Sequence, residues 1–331
     1  MGPGSIGRRR GLLGVLGAAV VSPLPAVAQG AAPAWPQRPV RVVVPYAPGG
    51  GADTVGRILF GKLGEILGAT FVIENRGGGA GTIGAAAAAQ AAPDGHTVLH
   101  DATALSVNPA LFERLPYDTA KAFRPVFLAG RVPNLLLVHP GVPARTVADV
   151  VSLAKVSGPG GLDFASSGNG TVQHMALEMF ARAAGIRLNH VPYRGGGPAL
   201  TDLVAGQVRF FFSNASASTG HARAGRVRAV AHTGSKPIAA FPELPAVADT
   251  LPGFEAYEWN GVLVPAGVPE PIVRKLNEGL NAAIRDPAVA ERLAALNVET
   301  APNTPAAFAA FLEAETSRWG RLVREAGIKP D

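Results

Sequence analysis

The stretch from Val42 to Thr54 constrains the fold more strongly than any other part of the sequence. Its three valines indicate a short buried strand, Pro45 ends that strand, and three glycines then allow a tight turn. Apolar residues at helical spacing follow from Val55 to Leu67, and Gly68 is suited to end the helix. This order places the unpaired N–H groups of a helix start beside the end of a strand. Such groups, with the helix dipole behind them, attract an anion.

The anion predicted at this turn is smaller than a nucleotide. A phosphate-binding P-loop needs a lysine after its last glycine, and Ala52 and Asp53 stand there instead. Asp53 would repel a triphosphate, whereas it could cap the helix or orient a water beside a small anion held by backbone N–H groups. A turn that only lets the strand pack against the helix is the alternative interpretation.

Residues 1–28 have the pattern of a secretory signal. A basic segment ends at Arg10, an apolar segment follows, and Ala26-Val27-Ala28 forms an A-x-A cleavage site. Arg9 and Arg10 loosely match a twin-arginine signal, which leaves that export route open. A membrane anchor is the alternative, but the apolar stretch is short for a span and ends in prolines. We therefore expect a periplasmic protein, cleaved after Ala28.

The composition of the remaining chain, about 300 residues, argues against several functions. It holds 27 basic and 24 acidic residues, a net charge of +3, without a dense basic run, so nucleic acid is not an expected partner. The chain has no cysteine, which excludes disulfides, thiolate metal sites and a cysteine nucleophile. The seven histidines form no H-E-x-x-H pair, and no G-x-S-x-G elbow occurs. We therefore expect no metal, no cofactor and no enzymatic activity.

From Val40 onward, short apolar segments alternate with amphipathic ones, which predicts parallel α/β units. Helical spacing runs from Val172 to Ala183 before Gly185, and from Thr304-Pro305 to Gly327. The predicted strands are Val40–Val44, Thr70–Glu74, His96–Leu99, Val126–Ala129, Leu135–His139, Leu162–Ala165, Leu188–Val191, Val208–Phe212, Arg228–His232 and Val262–Pro265.

Two further turns repeat the arrangement of strand, small residues and helix start. Ser166–Thr171 precedes a predicted helix with His174 in its first turn, and Tyr193–Gly195 precedes a helix that Pro198 is suited to begin. Three such turns predict a ligand bearing carboxylates, met by backbone N–H groups from two lobes. His174 and His190 could line the same cleft, although ordinary helix-start and strand-end roles are the alternative.

A formal dinucleotide fingerprint, Gly79-x-Gly81-x-x-Gly84, is not interpreted as a nucleotide site. Four residues separate it from the end of the predicted strand at Glu74, where the true motif turns at once. A glycine-rich connection near the cleft is the better interpretation.

Several spaced blocks of residues resemble the Bug family, the extracytoplasmic solute receptors of tripartite tricarboxylate transporters. The resemblance covers essentially everything after the leader. The matching blocks are Arg41–Asp53, Glu74–Gly77, Ala92–Gly95, Asn108–Leu111, Leu115–Asp118, Gly168–Gly170, His190–Tyr193, Pro198–Leu203 and Gly261–Gly267.

The resemblance implies an α/β, two-lobed type II periplasmic-binding-protein fold with a ligand cleft between the lobes. Lobe 1 is expected at residues 36–130 and 257–331, and lobe 2 at residues 131–256. Carried over to this chain, the resemblance and the turns together predict a set of ligand-binding residues from both lobes. These are Ala47, Pro48, Gly49, Gly50, Gly51, Ala52, Asp53, Thr103, Ser166, Ser167, Gly168, Asn169, Thr171, Tyr193, Arg194, Gly195, Ser213 and Asn214.

Two positions depart from the pattern of the family. Ser213-Asn214 stands where many members have Asp-Asn, and the family acid there can meet an amino group on the ligand. Its loss makes an amino-acid ligand a weaker expectation. Asp101 stands where relatives often carry small residues, so it either points away from the cleft or meets a donor on the ligand. Trp259 is a further side chain whose direction decides the ligand.

The function implied is a monomeric periplasmic receptor that captures a small organic carboxylate. Its partners would be that ligand and the membrane permease subunits of a tripartite tricarboxylate transporter. A ligand-loaded partner of a membrane sensor is one alternative. An enzyme on the same scaffold is another, with only His174, His190 and Asp53 as loose candidates and no activating partner visible for them.

Overall fold

The computed structural model describes residues 1–2, 35–158 and 160–329. The predicted signal segment and its cleavage site after Ala28 lie outside the described residues, apart from the first two. Within the described ranges, no helix is both long enough and apolar enough to cross a membrane.

Nine strands and eleven helices alternate along this part of the chain, and two short 3₁₀ turns add Gly79–Gly81 and Val247–Asp249. The strands are β1 Val40–Val44, β2 Phe71–Asn75, β3 Thr97–Ala102, β4 Phe123–Val138, β5 Leu162–Ser166, β6 Leu188–Pro192, β7 Phe210–Asn214, β8 Arg228–His232 and β9 Tyr257–Pro265. The helices are α1 Gly51–Leu67, α2 Thr82–Ala89, α3 Ala104–Leu111, α4 Thr119–Ala122, α5 Val147–Val156, α6 Val172–Ala184, α7 Gly196–Val204, α8 Ala215–Arg223, α9 Glu270–Arg285, α10 Pro287–Ala295 and α11 Pro305–Ala326.

The helix ends follow from the residues that the sequence offers there. Gly68, Gly185 and Gly327 adopt the left-handed conformation that ends α1, α6 and α11. Thr304 caps α11 by accepting a hydrogen bond from the Ala307 N–H, and Pro305 occupies the first helical position. These predicted helix boundaries are confirmed.

The strands form one sheet in the order β2-β1-β3-β9-β4-β7-β5-β6, with β8 paired to β4. Parallel pairs, which are typical of strands joined by helices, occur at both ends of the sheet. In the middle, β4 and β9 run antiparallel to their neighbours. The sheet is therefore mixed, whereas the sequence pattern predicted parallel units throughout.

The central strand β4 corrects the prediction of two separate strands at Val126–Ala129 and Leu135–His139. It pairs with β9 as far as Pro133, opposite Tyr257, and with β7 and β8 from Asn134 onward. Gly130 lies within the strand. Glycine suits this position because a side chain there would collide with Val298. Long strand β4 thus carries the chain from one half of the sheet to the other, and apolar cores lie in both halves.

Candidate functional site

The turn after β1 is held by the carboxylate of Asp53. Asp53 is buried, accepts hydrogen bonds from the Gly49 N–H and the Asn75 amide, and forms an ion pair with Arg57 at 2.9 Å. Burial works to raise the pKa of this carboxyl, but the hydrogen bonds from Arg57, Gly49 and Asn75 outweigh it and lower the pKa. Asp53 therefore fixes the shape of the turn, and its oxygens are committed to groups of the protein.

The turn after β5 is held by serine, threonine and histidine side chains. The Ser166 hydroxyl lies 2.6 Å from His190 Nε2 and accepts a hydrogen bond from the Gly168 N–H. Thr171 donates to the Gly168 carbonyl and caps α6 by accepting from the His174 N–H. Beneath the turn, the rings of His174 and His190 stack with their centroids 4.0 Å apart. Hydrogen bonds of serine, threonine and histidine hold this turn in shape, whereas the ion pair and hydrogen bonds of Asp53 hold the turn after β1.

The turn before α7 touches the turn after β1 directly. The Ala47 N–H donates to the Arg194 carbonyl at 3.2 Å. A side chain at Gly197 would lie only 2.1 Å from the Pro48 carbonyl oxygen, and one at Gly50 would lie 3.4 Å from the Gly196 nitrogen. Glycine is needed at 197 because two backbones approach too closely for any side chain.

A narrow cavity of about 20 Å³ lies where the starts of α1, α6 and α7 meet. About 10–15 Å³ of such space holds one water molecule, so in this arrangement the turns lie close together and the cavity is nearly closed. A ligand can enter it only when the turns separate. The residues that line the cavity are Tyr46, Gly50, Gly51, Ala52, Ala102, Thr103, Ala104, Ser167, Thr171, Val172, Gln173, Gly196 and Glu258.

Two of the three helix starts lack a capping side chain. Gly50 precedes α1 and Gly195 precedes α7, and neither start has a side-chain cap hydrogen bond. The first N–H groups of a helix have no partner within the helix, so a cap, water or ligand must satisfy them. These groups face a shared cavity, and their partial positive charge favours an anion there.

The opposite side of the cavity carries a buried acid. Glu258 on β9 is 7% exposed, and its two carboxylate oxygens accept hydrogen bonds from Gln173 Nε2 at 2.7 Å and Asn260 Nδ2 at 3.2 Å. Burial raises the pKa of Glu258, and these hydrogen bonds only partly offset it.

A second buried acid, Asp101, lies behind the cavity wall. It accepts hydrogen bonds from the Tyr46 hydroxyl at 2.9 Å and the Ala102 N–H at 2.7 Å. Burial raises the pKa of Asp101 to about 7, with Glu258 adding to the effect and the two hydrogen bonds opposing it. Asp101 points to Tyr46 and is outside the cavity lining.

A wider pocket of about 430 Å³ adjoins the cavity and shares Tyr46 and Ser167 with it. Its walls include the glycine-rich connection Gly77–Gly81 and the exposed side of the turn at Arg194. The connection therefore lies beside the cleft, as the sequence suggested, and Arg194 places a positive charge at its mouth.

The structure distributes the predicted site residues over four environments. The narrow cavity is lined by Gly50, Gly51, Ala52, Thr103, Ser167 and Thr171. The wider pocket is lined by Ser167, Gly168, Asn169, Tyr193 and Arg194. The outer face of the first turn, beside Gly197 and Pro198, is formed by Ala47, Pro48 and Gly49. The residues that line none of these spaces are Asp53, Ser166, Gly195, Ser213 and Asn214.

Asn214 nevertheless packs against Gly51, at the start of α1. It caps α8 by accepting from the Ser216 N–H, and a side chain at Gly51 would lie 2.4 Å from its amide carbon. Ser213 is buried on β7, opposite Leu135 of β4. Trp259 is also buried, packing edge-on against Phe308 and Phe311, and it lies outside the cavity lining together with His174 and His190.

Seven lining residues were missed in the sequence: Tyr46, Ala102, Ala104, Val172, Gln173, Gly196 and Glu258. Tyr46, Val172 and Gly196 adjoin predicted turns, so wider windows around the turns would have included them. Glu258 and Gln173 belong to no local motif. A lone acid within the apolar run of β9 was the signal available for Glu258, since an unpaired buried carboxylate is costly.

No group of three or more histidine or acidic side chains among the described residues could hold a metal ion. The cavity lining combines the backbone of the helix starts, the hydroxyl-bearing residues Thr103, Ser167 and Thr171, and the buried Glu258.

Known proteins show the same sequence pattern and fold. A family described as "Tripartite tricarboxylate transporter family receptor" matches residues 55–328. The protein BugT of Bordetella pertussis is 34% identical over 298 residues, covering 89% of this chain and 91% of BugT. The structure titled R. palustris Rpa4515 with adipate has a TM-score of 0.86 and 34% identity, covering 90% of this chain and all of the other. MatC from Rhodopseudomonas palustris, with bound malate, has a TM-score of 0.83 and 34% identity, covering 87% of this chain and all of MatC.

Proposed function

The chain belongs to the family of tripartite tricarboxylate transporter receptors, and we propose that it is a periplasmic receptor for a small organic carboxylate. Its fold is the two-lobed fold of periplasmic binding proteins. The receptor would deliver its ligand to the permease subunits of a tripartite tricarboxylate transporter. The adipate and malate held by two structural neighbours support a ligand with at least one carboxylate.

The observation that carries the proposal is the convergence of three helix starts on one cavity. The starts of α1 and α7 have glycine caps, so their N–H groups remain available for a ligand oxygen. Backbone N–H groups suit a carboxylate whatever the rest of the ligand carries. A solute-binding protein needs only these hydrogen bonds from backbone N–H groups to the ligand carboxylate. An enzyme would also need a nucleophile or a base with an activating partner.

We further propose that the ligand enters by a hinge motion of the two lobes, residues 36–130 with 257–331 and residues 131–256. The partner change of β4 between Pro133 and Asn134 offers a place for the hinge. The small cavity and the contact between Ala47 and Arg194 correspond to the closed state. A ligand that contacts both lobes selects a closed state, with the turns apart only far enough to hold it, over the open one.

A melting experiment with a panel of mono-, di- and tricarboxylates tests the proposal. The protein is first unfolded and refolded, so that no ligand from the expression host remains bound. A ligand that binds only the folded form stabilises it by about 2.7 kcal/mol at a concentration of 100 times Kd. We expect at least one acid to raise the melting temperature, with uncharged amides of the same acids as controls. If no acid raises it, the proposal is wrong.

The proposed periplasmic location and partner are tested separately. Expression in a Gram-negative host should yield a periplasmic protein whose first residue is Gln29, because cleavage is expected after Ala28. The ligand-loaded protein should run as a monomer in size exclusion and capture permease subunits from membranes of the source organism. Capture of a sensor protein instead would leave the binding chemistry intact and change the partner.

A further inference from the structure

One wall of the narrow cavity presents hydrogen-bond acceptors to the ligand. Each oxygen of Glu258 accepts one amide N–H, the Asn214 amide is a third donor close to it, and a carboxylate has four lone-pair sites in all. Gln173 is 1% exposed and donates its Nε2 to Glu258 and Asn134, while its Oε1 has no hydrogen-bond partner. Both side chains line the cavity, so their spare lone pairs are available to a group within it.

No positive side chain pairs with this wall in the described part of the chain. None of the ion pairs there includes Glu258. The neighbouring acid Asp101 supplies no positive charge either, and its contacts are to Tyr46 and Ala102. A buried carboxylate without a cation is costly, and a cation brought by the ligand would remove that cost.

We propose that Glu258 and Gln173 recognise an ammonium group of the ligand, so that the substrate class is an amino acid. Its carboxylate lies at the starts of α1 and α7, and its ammonium group, with three donors, meets the Glu258 carboxylate and Gln173 Oε1. This inference rests on the proposed function and names the ligand of the same cavity.

The assignment reverses an expectation from the sequence. Ser213 replaces the acid that can meet an amino group in the family, which weakened the case for an amino-acid ligand. Ser213 lies outside the cavity lining, and Glu258 supplies a carboxylate from β9 instead. A ligand hydroxyl would satisfy one acceptor but would leave the charge of Glu258 unpaired.

Matched acids that differ only at one carbon test this inference by isothermal titration calorimetry. The series are succinate, malate and aspartate; glutarate, 2-hydroxyglutarate and glutamate; and propionate, lactate and alanine. We expect the amino member of the best-binding series to bind at least tenfold more tightly than the unsubstituted member, with the hydroxy member between them. Hydrogen bonds to charged groups are worth a factor of this size.

The variant Glu258→Gln retains the shape of the side chain and removes its charge. It should lose most of the preference for the amino member, so that the ratio of the affinities for the amino and the unsubstituted members falls at least fivefold. Glu255→Gln is the matched control, because Glu255 lies three residues earlier and its carboxylate is partly exposed. Circular dichroism melting checks that both variants fold. The ligand series on the unaltered protein decides the question even if Glu258→Gln does not fold.

The outcomes separate this inference from the function on which it rests. If unsubstituted acids bind as tightly as amino acids, or if Glu258→Gln keeps the preference, the inference is overturned while the receptor function stands. If no carboxylate binds, the receptor function and this inference fail together.

Discussion

The two sides of the narrow cavity differ in both chemistry and origin. One side, here the donor wall, consists of the helix starts at Gly50–Ala52 and Gly196. The other, here the acceptor wall, consists of Glu258 and Gln173. The donor wall is backbone and suits any carboxylate, whereas the acceptor wall is made of side chains and can discriminate between ligands. The comparison suggests that capture and selectivity are assigned to different parts of the fold.

The two walls also differ in what they cost the folded protein. The N–H groups of the donor wall are part of helices that the core stabilises in any case. The acceptor wall buries Glu258, and a second buried acid, Asp101, lies behind the cavity lining. Burial raises the pKa values of both. A buried acid with a raised pKa destabilises the folded state at neutral pH.

The largest expected effect concerns Asp101 and the pH dependence of stability. The folded protein keeps Asp101 protonated up to a pH of about 7, whereas the unfolded chain ionises it near its usual pKa of 3.8. The unfolded state therefore binds fewer protons at Asp101 between these values, and the contribution of Asp101 to the free energy of unfolding falls as pH rises from about 4 to about 7. A difference of about three pKa units corresponds to about 4 kcal/mol. Burial lowers the pKa of His100 to about 4 and makes an opposite contribution over the same range, so the fall is measured as the difference between the unaltered protein and Asp101→Asn in urea unfolding from pH 4 to 8.

Asp101→Asn should remove most of this fall, because an amide oxygen can still accept from Tyr46 and the Ala102 N–H but does not ionise. Asp163→Asn, which changes an exposed acid on β5, is the control and should leave the pH dependence as it is. An unchanged pH dependence in Asp101→Asn would show that Asp101 does not bear the cost assigned to it.

The donor wall was predictable from sequence because each of its parts is a local pattern. The strand, the glycine turn and the helix after Val42 follow one another within the chain, and α1 ends at the predicted Gly68. The acceptor wall joins β9 to the start of α6, residues about 85 positions apart, and no pattern within one segment indicates that pairing. Likewise, β4 was predicted as two strands, and the residues between them include Gly130 and Pro133, which are uncommon inside strands. Pairing with β9, β7 and β8 keeps them in one strand.

The second prediction concerns closure of the donor wall. Gly197→Ala places a methyl group 2.1 Å from the Pro48 carbonyl oxygen, a distance that no folded structure accommodates. We expect the turns at Pro48 and Gly197 to be held apart, so that the closed state is lost and ligand affinity falls at least 100-fold, about 2.8 kcal/mol. Calorimetric titration with the acid that gives the largest melting shift measures the loss.

Gly61→Ala is the matched control for that experiment. Gly61 lies in the interior of α1, and a side chain there meets nothing within 4 Å. Alanine should stabilise the helix by about 0.5–1 kcal/mol and leave the affinity unchanged. If Gly197→Ala binds ligand as well as Gly61→Ala does, closure does not depend on this contact.

The third prediction compares the two turns through the groups that hold them. Asp53→Asn removes the ion pair with Arg57, and Ser166→Ala removes the hydrogen bonds of the Ser166 hydroxyl with His190 and the Gly168 N–H. Charged hydrogen bonds are the stronger, so we expect about 2 kcal/mol lost for Asp53→Asn and about 1 kcal/mol for Ser166→Ala. Urea unfolding at pH 7 measures both losses.

The pH dependence distinguishes the two variants further. The lowered pKa of Asp53 means that its contribution is present above pH 4 and is lost as pH falls through the pKa of the folded state. Asp53→Asn should therefore differ less from the unaltered protein at pH 3 than at pH 7. A constant difference over this range would contradict the role given to the Asp53 charge.

The smallest expected effect lies at the mouth of the cleft. Arg194 is exposed and lines the wider pocket, where water and salt screen its charge. Arg194→Gln should lower the association rate of a dicarboxylate about two- to fivefold at low salt and hardly at all at 0.5 M salt. Charges at the rim of a binding site mainly change the rate at which the ligand and the protein meet. The dissociation rate should stay the same, because the donor wall grips the ligand through backbone groups. Stopped-flow measurements that show a faster dissociation instead would place Arg194 in the bound complex, and selectivity would then extend beyond the acceptor wall.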